Sequence, residues 1–323
     1  MAPKILLTGV TGFVGGTAFS KIHDAHPNYD YTLYIRSEDR ANIISKKYPN
    51  VKFVYGDLAS TDVIEKAASE ADVVVHTAES ADSLPAAKAI ERGLTSGHSK
   101  ENPGYYIHLS GAGILTWYDL KNQRCGMPPL PEQSYHDIND IDRILNLPNE
   151  AIHKDVDNAV QSIDSVPHCL ARATFELGYT PFVGAGQAKW DYVHVEDLAE
   201  FFNKAIEATQ DSSMREDPEV WGKKGYYFVS GGEHQWKDLA AWVADEVHRQ
   251  GYIPESRTQS VTFEDVIKNG YKAGIAWAIN SRGESERARK FLGWEPKAPS
   301  LKDTVSDSVT WKAEVLGLKP KYK

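Results

Sequence analysis

Cysteine is scarce in this sequence, with only Cys125 and Cys169 among 323 residues. Two cysteines cannot form a disulfide framework, and their scarcity is typical of a reducing compartment. No apolar run is long enough to span a bilayer, and the first residues form no charged-then-apolar leader. We therefore expect a cytoplasmic protein that has no membrane partner.

Clusters of basic residues are lacking as well. The 36 Lys and Arg residues are outnumbered by 45 Asp and Glu residues, which gives a formal net charge of −9. A nucleic-acid-binding surface needs clustered cations, so nucleic acid is not an expected partner. The cysteines lie far apart and the histidines follow no ligand spacing, so we predict no metal site. Hydrophobic residues make up 41% of the chain, which is ample for a core.

A glycine-rich turn opens the chain. Residues 4–8 read as a buried strand, and Gly9, Gly12 and Gly15 follow it at three-residue spacing. Apolar positions at helical spacing then predict a helix from residue 13. This arrangement puts backbone N–H groups and a positive dipole end where a pyrophosphate can bind. Gly9 permits the tight turn, Gly12 lets the backbone approach the phosphates, and Gly15 lets the helix pack close to the strand.

Strand and helix patterns alternate over the first 110 residues. Strands are predicted at residues 31–36, 51–55, 71–76 and 105–109, and helices at 39–47, 61–69 and 84–95. Such alternation favours an α/β fold with a doubly wound parallel sheet.

The later part of the chain has weaker signals. Residues 119–150 are polar and rich in proline, which predicts a surface excursion over the site rather than core. Helices are then predicted at 149–164, 170–177 and 196–209, and strands at 192–195 and 225–229. The last third reads as mostly helical, and its tryptophans are expected to pack rather than to bind ligand.

Four motifs together resemble one superfamily. They are TGVTGFVGG at 8–16, HTA at 76–78, WDYVHVEDLA at 190–199 and FLGWEPKAPSL at 291–301. With them the chain resembles the extended short-chain dehydrogenases/reductases of the NAD-dependent epimerase/dehydratase group, in particular its atypical fungal-type members. The resemblance implies a Rossmann sheet with a smaller, mainly helical C-terminal lobe. Residues 1–169, joined by 190–210 and 225–230, would bind the dinucleotide, and 170–189 with 211–323 would form the substrate lobe.

The resemblance also implies a cofactor and the residues that hold it. An acidic side chain after the second strand would accept from the ribose of NAD, whereas an Arg can pair with the 2′-phosphate of NADP. This position is Arg36, so we expect NADP in preference to NAD, against the opposing charges of Glu38 and Asp39. The cofactor-binding set implied is Gly9, Thr11, Gly12, Phe13, Val14, Gly15, Arg36, Asp57, Leu58, Thr77 and Ala78.

The catalytic centre departs from the family pattern. Most members have a Ser after the fifth strand and a Tyr-x-x-x-Lys on the next helix. Ser110 matches the Ser, but His153 and Asp157 stand at the Tyr and Lys positions. A histidine titrates near neutral pH without a neighbouring cation, and Asp157 one turn later would orient the ring and raise its pKa. Tyr118 is a second candidate for the proton-transferring group.

Two further departures bear on the substrate and the fold. Trp190 precedes Asp191 where the family has Arg, which argues against a nucleotide sugar and for a more apolar substrate. After residues 166–169 the family continues its sixth strand into a Pro-Pro and Tyr-Gly stretch, whereas this sequence goes directly to the helix predicted at 170–177. Either the protein lacks that stretch, or a segment lies outside the 323 residues. His194 is expected to be a buried, hydrogen-bonded residue of a strand.

Two functions remain open from the sequence. The first is an NADP(H)-dependent oxidoreductase acting on the carbonyl or alcohol of a small, fairly apolar metabolite. The second is a non-redox isomerase, cyclase or cofactor sensor on the same scaffold, because the Tyr-x-x-x-Lys dyad is absent. A homodimer is compatible with either.

Overall fold

Five parallel strands form the main sheet, in the order β3-β2-β1-β4-β5. The computed structural model describes residues 2–80, 82–152, 154–157, 166–268 and 272–322. The sheet strands are β1 (Lys4–Thr8), β2 (Asp30–Ile35), β3 (Lys52–Tyr55), β4 (Val73–His76) and β5 (Tyr105–His108). The predicted doubly wound α/β fold is confirmed, and each of these strands overlaps its predicted range.

The remaining elements follow in chain order. The helices are α1 (Phe13–Ala25), α2 (Glu38–Lys47), α3 (Thr61–Ser69), α4 (Leu84–Gly97), α5 (Trp117–Asn122), α6 (Ile141–Leu145), α7 (Lys154–Asp157), α8 (Val166–Leu177), α9 (Val195–Gln210), α10 (Trp236–Arg249), α11 (Phe263–Lys268), α12 (Arg287–Leu292) and α13 (Val305–Val315). Short strands pair as β6 (Ser134–His136) with β11 (Arg282–Glu284), β7 (Thr180–Val183) with β10 (Thr258–Val261), and β8 (Lys189–Tyr192) with β9 (Gly232–Gln235).

Helices cover both faces of the main sheet because side chains alternate along each strand. Ile5 and Leu7 of β1 pack with residues of α1 and α9 in one core. Leu6, between them, packs on the opposite face with residues of α3 and α4. α9 therefore packs on the main sheet although it lies about 90 residues beyond β5 in the chain.

A second core lies between α8, α10, α13 and β7. Trp236 and Trp277 are fully buried in it, whereas Trp294 is fully buried in the core of the main sheet. The expectation that these tryptophans pack is confirmed for all three. Trp311 differs, because it is 48% exposed.

The structure of the proline-rich region 119–150 differs from the prediction of a surface excursion. It is not a surface excursion, because Tyr135 and Ile144 form a buried cluster with Ile114 and Leu115. Asp119 in the same region is fully buried. Its two carboxylate oxygens accept hydrogen bonds from Gln133 and Asn280, so its polarity is satisfied inside the protein.

Two strand predictions past residue 149 are also corrected, and one helix prediction is tested only in part. The helix predicted over 149–164 is seen only as α7, and residues 153 and 158–165 lie outside the described chain. The strand predicted at 192–195 is β8, which ends at Tyr192, because His194 caps α9. Residues 225–229 form no strand, since no neighbouring strand is present in the described chain to pair with them.

Candidate active site

The opening turn is shaped by glycines that no other residue could replace without strain. Gly9 has φ +76°, and a Cβ there would lie 2.5 Å from Thr77 Oγ1 and 2.7 Å from the Thr77 carbonyl carbon. A Cβ on Gly15 would overlap Gly9 O and Thr77 Oγ1. Gly12 is less crowded, with Gly9 O at 3.2 Å. The lack of side chains at these positions therefore lets β1, α1 and the end of β4 pack closely.

The amino end of α1 leaves backbone N–H groups free to bind an anion. Its N-cap is Gly12, which offers no side-chain cap. The first N–H groups of a helix have no intrahelical acceptor, and the helix dipole adds positive potential at this end. Phe13 stands at this end with 63% of its surface exposed. These groups fit the pyrophosphate of a dinucleotide.

A cleft of about 1840 Å³ begins at this turn and runs along the carboxyl ends of β1, β4 and β5. Of the predicted cofactor residues, six border it: Gly9, Gly12, Phe13, Val14, Gly15 and Thr77. Ser110 and several residues that follow it line the same cleft. The location agrees with the rule that ligands bind outside the carboxyl ends of parallel strands.

Five of the predicted cofactor residues lie outside this cleft: Thr11, Arg36, Asp57, Leu58 and Ala78. Arg36 is exposed directly after β2, and Arg40 donates from Nη1 to Thr11 O at 3.3 Å. Asp57 Oδ1 accepts from Ala59 N and Ser60 Oγ, and the Ser60 hydroxyl bond is the main cause that lowers the pKa of this carboxyl. The hydrogen bond from Arg40 to Thr11 O links α2 to the glycine turn.

The predicted catalytic residues are only partly brought together. Ser110 lines the cleft. Tyr118 does not border the cleft and packs edge-on against Trp117, with ring centroids 5.5 Å apart. His153 lies outside the described residues, and of Asp157 only the backbone, in α7, is described. Their assignment stays a prediction.

Asp191 is a residue that sequence reasoning passed over. It lines the cleft, and its Oδ2 accepts a hydrogen bond from Gly283 N. Burial, and to a lesser extent the nearby Glu233, raises the pKa of Asp191 to about 7. The hydrogen bond from Gly283 N acts in the opposite direction. A carboxyl that titrates near neutral pH in a cleft is a candidate acid or base. Only tertiary burial produces this shift, so the sequence held no signal for it.

Asp191 is joined to the Ser110 end of the cleft through Ser281. Asp191 N donates to Ser281 O at 3.2 Å, and Ser281 Oγ donates to Ala112 O at 2.6 Å. Ala112 follows Ser110 by two residues and also borders the cleft. These hydrogen bonds therefore fix the position of β8 relative to residues 110–112.

Two histidines stand side by side at the ends of β4 and β5, His76 fully buried and His108 half-buried. His76 Nδ1 is 2.6 Å from Thr8 Oγ1, and His108 Nδ1 is 3.1 Å from Tyr106 OH. Burial lowers the pKa of His76 to about 4 and that of His108 well below its usual value. Both rings are therefore neutral at pH 7. Their Nε2 atoms have no partner among the described residues.

His194 has a structural part at this site. Its Nδ1 accepts from Glu196 N at 3.2 Å and so caps α9. It is half-buried rather than buried, and it follows β8 rather than lying within it. The prediction that it is hydrogen-bonded is correct, and the prediction that it belongs to a strand is wrong.

Comparison with known proteins agrees with this geometry. Residues 9–120 match the family model described as NAD(P)H-binding. A curated protein from Acremonium sp, named Oxidase ucsJ, is 31% identical over 351 aligned positions, which cover 98% of this chain and all of that protein. The chain therefore belongs to the same NAD(P)-binding family as this oxidase. Its predicted resemblance to short-chain dehydrogenases/reductases of the epimerase/dehydratase group is confirmed at the level of the fold.

Solved structures show the same fold. A dTDP-glucose 4,6-dehydratase from Streptomyces venezuelae with NAD bound has a TM-score of 0.63 at 15% identity, covering 97% of this chain and 98% of that one. A nucleoside-diphosphate-sugar epimerase from Pseudomonas aeruginosa has a TM-score of 0.61 at 14% identity, covering 99% and 100%. At these identities the likeness concerns the fold alone.

Over the described ranges, no cluster of three or more His, Cys, Asp or Glu side chains is arranged to hold a metal ion. In the same part of the chain, no helix has both the length and the apolar character needed to cross a membrane.

Proposed function

We propose that the protein is an NADP(H)-dependent oxidoreductase that interconverts the carbonyl and alcohol forms of a small, fairly apolar metabolite. The observation that carries this proposal is the continuity of the cleft. One cavity reaches from the amino end of α1, where a pyrophosphate fits, to Ser110. Hydride transfer needs the cofactor and the reacting carbon in one such space.

The walls of the cleft favour an apolar substrate. Tyr192, Tyr226, Phe228 and Trp311 line it beyond Ser110. Trp190 stands where the family has an arginine, and its Nε1 donates to Ile279 O at 2.6 Å. The Trp190 ring is therefore used in packing and offers no guanidinium to a diphosphate.

Each residue has a proposed part in the reaction. Bound NADPH would supply the hydride. The Ser110 hydroxyl donates a hydrogen bond to the substrate oxygen and polarises the carbonyl. The proton that completes the alcohol comes from His153, oriented by Asp157. Asp191 is the alternative donor, because it lines the cleft and titrates near pH 7.

Variants at these positions test the chemistry. Ser110→Ala is expected to lower kcat by about 100-fold with NADPH affinity unchanged, because a hydrogen bond to the reacting oxygen is lost. His153→Ala and Asp191→Asn are compared in the same assay, and the proton donor is the one whose loss changes the pH profile of kcat. If Ser110→Ala and His153→Ala both keep full turnover, the assignment fails.

Arg36 supports the preference for NADP. It is exposed directly after β2, where a guanidinium can reach a 2′-phosphate. We expect calorimetry to show tighter binding of NADPH than of NADH. Arg36→Ala should weaken NADPH binding about tenfold and leave NADH binding unchanged. Arg172→Ala, on the surface of α8, is the control. Tighter binding of NADH would overturn the preference alone.

A non-redox reaction is the second candidate. No Tyr-x-x-x-Lys dyad is present at the site, and structural neighbours include a dehydratase and an epimerase. The two candidates differ in whether the absorbance of bound NADPH falls when ketones are added. Binding of NADPH without its oxidation across a broad panel would favour an isomerase, a cyclase or a sensor.

A further inference from the structure

His234 of β9 is a buried residue whose two ring nitrogens have no hydrogen-bond partner among the described residues. Its surface is only 7% exposed, and yet it borders the large cleft. A neutral imidazole carries one donor and one acceptor nitrogen. Leaving both unmatched in the interior reduces stability, and a polar group that enters from the cleft would restore it.

The His234 ring belongs to an apolar part of the cleft. In the pairing of β8 with β9, His234 lies directly opposite Trp190, so the two side chains share one face. The Trp236 ring stands edge-on to the imidazole, with ring centroids 4.8 Å apart. Trp190, Trp236 and Leu239 belong to the second core, and Leu301 packs against it. We refer to Trp190, His234, Leu239 and Leu301, which all border the cleft, as the imidazole subsite.

The polar groups close to His234 are engaged elsewhere. Trp190 Nε1 donates to a backbone carbonyl at 2.6 Å. The Glu233 carboxylate accepts from Lys189 and from Arg282. Neither ring nitrogen makes a hydrogen bond of normal distance and angle with the Trp190 peptide on the paired strand. Within the described chain, the donor and the acceptor of His234 are therefore available to a ligand.

The charge of the ring defines the kind of ligand that fits. Burial lowers the pKa of His234 to about 4, whereas Glu233 and the Trp190 peptide act in the opposite direction. The ring is therefore neutral at pH 7 and does not attract an anion. Asp191 and Asp307 also border the cleft and disfavour a carboxylate or a phosphate. A hydroxyl group both donates and accepts, so it fits either tautomer of the imidazole.

The imidazole subsite lies well away from Ser110. β9 pairs with β8, and β8 forms a parallel bridge from Trp190 to Ser281. Two strand spacings amount to roughly 10 Å. Ser281 Oγ donates to Ala112 O, two residues after Ser110. A substrate that contacts both Ser110 and His234 therefore has its two oxygen atoms on the order of 10 Å apart.

We propose that the imidazole subsite binds a hydroxyl group of the substrate, remote from the reacting carbonyl, through a hydrogen bond with the His234 ring. The inference rests on the proposed function, which places the carbonyl at Ser110. His234 is then a specificity-determining residue. Among apolar carbonyl compounds it selects those that carry an alcohol or a phenol at the far end.

Benzylacetone and its para-hydroxy derivative test this inference, because they differ only in a hydroxyl group remote from the carbonyl. Calorimetry measures the binding of each ketone to the protein saturated with NADP⁺, a cofactor form that cannot reduce a ketone. The para-hydroxy compound should bind about tenfold more tightly, since it gains a hydrogen bond to a buried group. The para-carboxy derivative should bind more weakly than benzylacetone.

Variants of His234 identify the group that is responsible. In His234→Phe the preference for the hydroxyl compound should fall below about twofold, with the affinity for NADP⁺ unchanged. His234→Gln keeps a donor and an acceptor and should keep part of the preference. His248→Phe is the matched control, because His248 lies outside the cleft and its Nδ1 is 3.2 Å from Ile253 O. The thermal midpoint of His234→Phe should not fall, whereas loss of a purely structural imidazole would lower it.

Three results would overturn the inference: equal affinities of the two ketones for the parent protein, a preference that persists in His234→Phe, or its loss in His248→Phe. If neither ketone binds at millimolar concentration, phenol and toluene are titrated against protein with isotope-labelled histidine. A shift of the His234 ring signal with phenol alone supports the subsite, and an unchanged signal counts against it.

The proposed reaction fails or succeeds separately. Preference for the hydroxyl compound without oxidation of NADPH refutes the reaction and leaves the subsite. Oxidation of NADPH by both ketones with equal KM refutes the subsite and leaves the reaction.

Discussion

A side chain at Gly9 would reduce stability in two ways, by straining a left-handed backbone and by crowding Thr77. Experiment can separate these two effects. Gly9 and Gly178 have the same φ of +76°, but a Cβ on Gly178 would meet nothing within 4 Å. A left-handed backbone alone costs a non-glycine residue about 1 kcal/mol. Crowding against Thr77 adds a steric term that only Gly9 has.

We expect Gly9→Ala to lower the free energy of unfolding by about 3 kcal/mol, against about 1 kcal/mol for Gly178→Ala. Gly9→Ala should also abolish NADPH binding, because Thr77 and the turn must move apart. Chemical denaturation and calorimetry measure the two effects. Equal losses of stability for the two variants would show that crowding at Gly9 plays no part.

Asp191 gives a second prediction at the scale of one residue. Its folded-state pKa is raised to about 7, so the buried charge reduces stability above that pH and ceases to do so as the pH falls toward 4. Asp191→Asn keeps an acceptor for Gly283 N and removes the charge. We expect it to raise the free energy of unfolding by about 2 kcal/mol at pH 8 and by close to zero at pH 4.5.

Denaturation at the two pH values checks this expectation. A gain at pH 4.5 as large as that at pH 8 would assign the effect to packing instead of charge.

At the scale of elements, two of the sequence motifs bind each other. Trp294 Nε1 donates to Asp197 O at 2.7 Å, and the Asp197 carboxylate accepts from Lys297 N at 2.8 Å and from Ala298 N at 3.1 Å. The motif at 190–199 thus holds the loop after α12 against α9. Asp197 is buried, so these bonds have no competition from water.

We expect Asp197→Ala to lower the free energy of unfolding by about 3 kcal/mol, because it leaves two buried N–H groups without acceptors. Asp303 accepts from Ser300 N in the same manner at an exposed site. Asp303→Ala should cost less than about 1 kcal/mol. Losses of similar size would contradict the importance of burial. Thermal unfolding followed by circular dichroism compares the two.

Element boundaries show where sequence reasoning succeeds. The helix at 61–69 has its predicted limits, and β1 is predicted to the residue, because caps and period are local properties. The segment at 225–229 was misassigned although its residues favour a strand. A segment forms a strand only if another strand pairs with it, and the presence of that partner cannot be read from the segment's own residues.

For the whole molecule, two buried histidines make stability fall in acid, which is opposite in sign to the effect of Asp191. Burial lowers the pKa of His76 and of His234 to about 4. Below pH 6.5 the unfolded chain binds protons at these histidines before the folded chain does. The stability that the two histidines contribute is therefore complete above about pH 6.5 and is lost as the pH falls toward 4. Each histidine contributes up to about 3 kcal/mol to this loss.

His76→Gln keeps an acceptor for Thr8 and removes the titration. We expect the midpoint of thermal unfolding to fall less steeply between pH 6.5 and 4 in this variant than in the parent protein. A midpoint that falls with the same slope in both would show that His76 does not carry the dependence.

The residues that line the cleft could be identified from the sequence at the glycine turn and only in part beyond it. Gly9, Gly12 and Gly15 could be identified because a strand, a turn and a helix are adjacent in the chain. Asp191 and His108 could not, since their pKa shifts come from burial by segments remote in sequence. Tyr118 follows Ser110 closely in sequence, but α5 places it outside the cleft.

The sequence by itself determined the parallel sheet, its helices and the glycine turn, because hydrophobic period and glycine conformation act over a few residues. Tertiary structure alone decided that residues 119–150 contain buried core, that Asp191 titrates near neutral pH, and that the sheet formed by the described residues ends at β5. Burial and strand pairing join residues far apart in the chain, and so no local pattern records them.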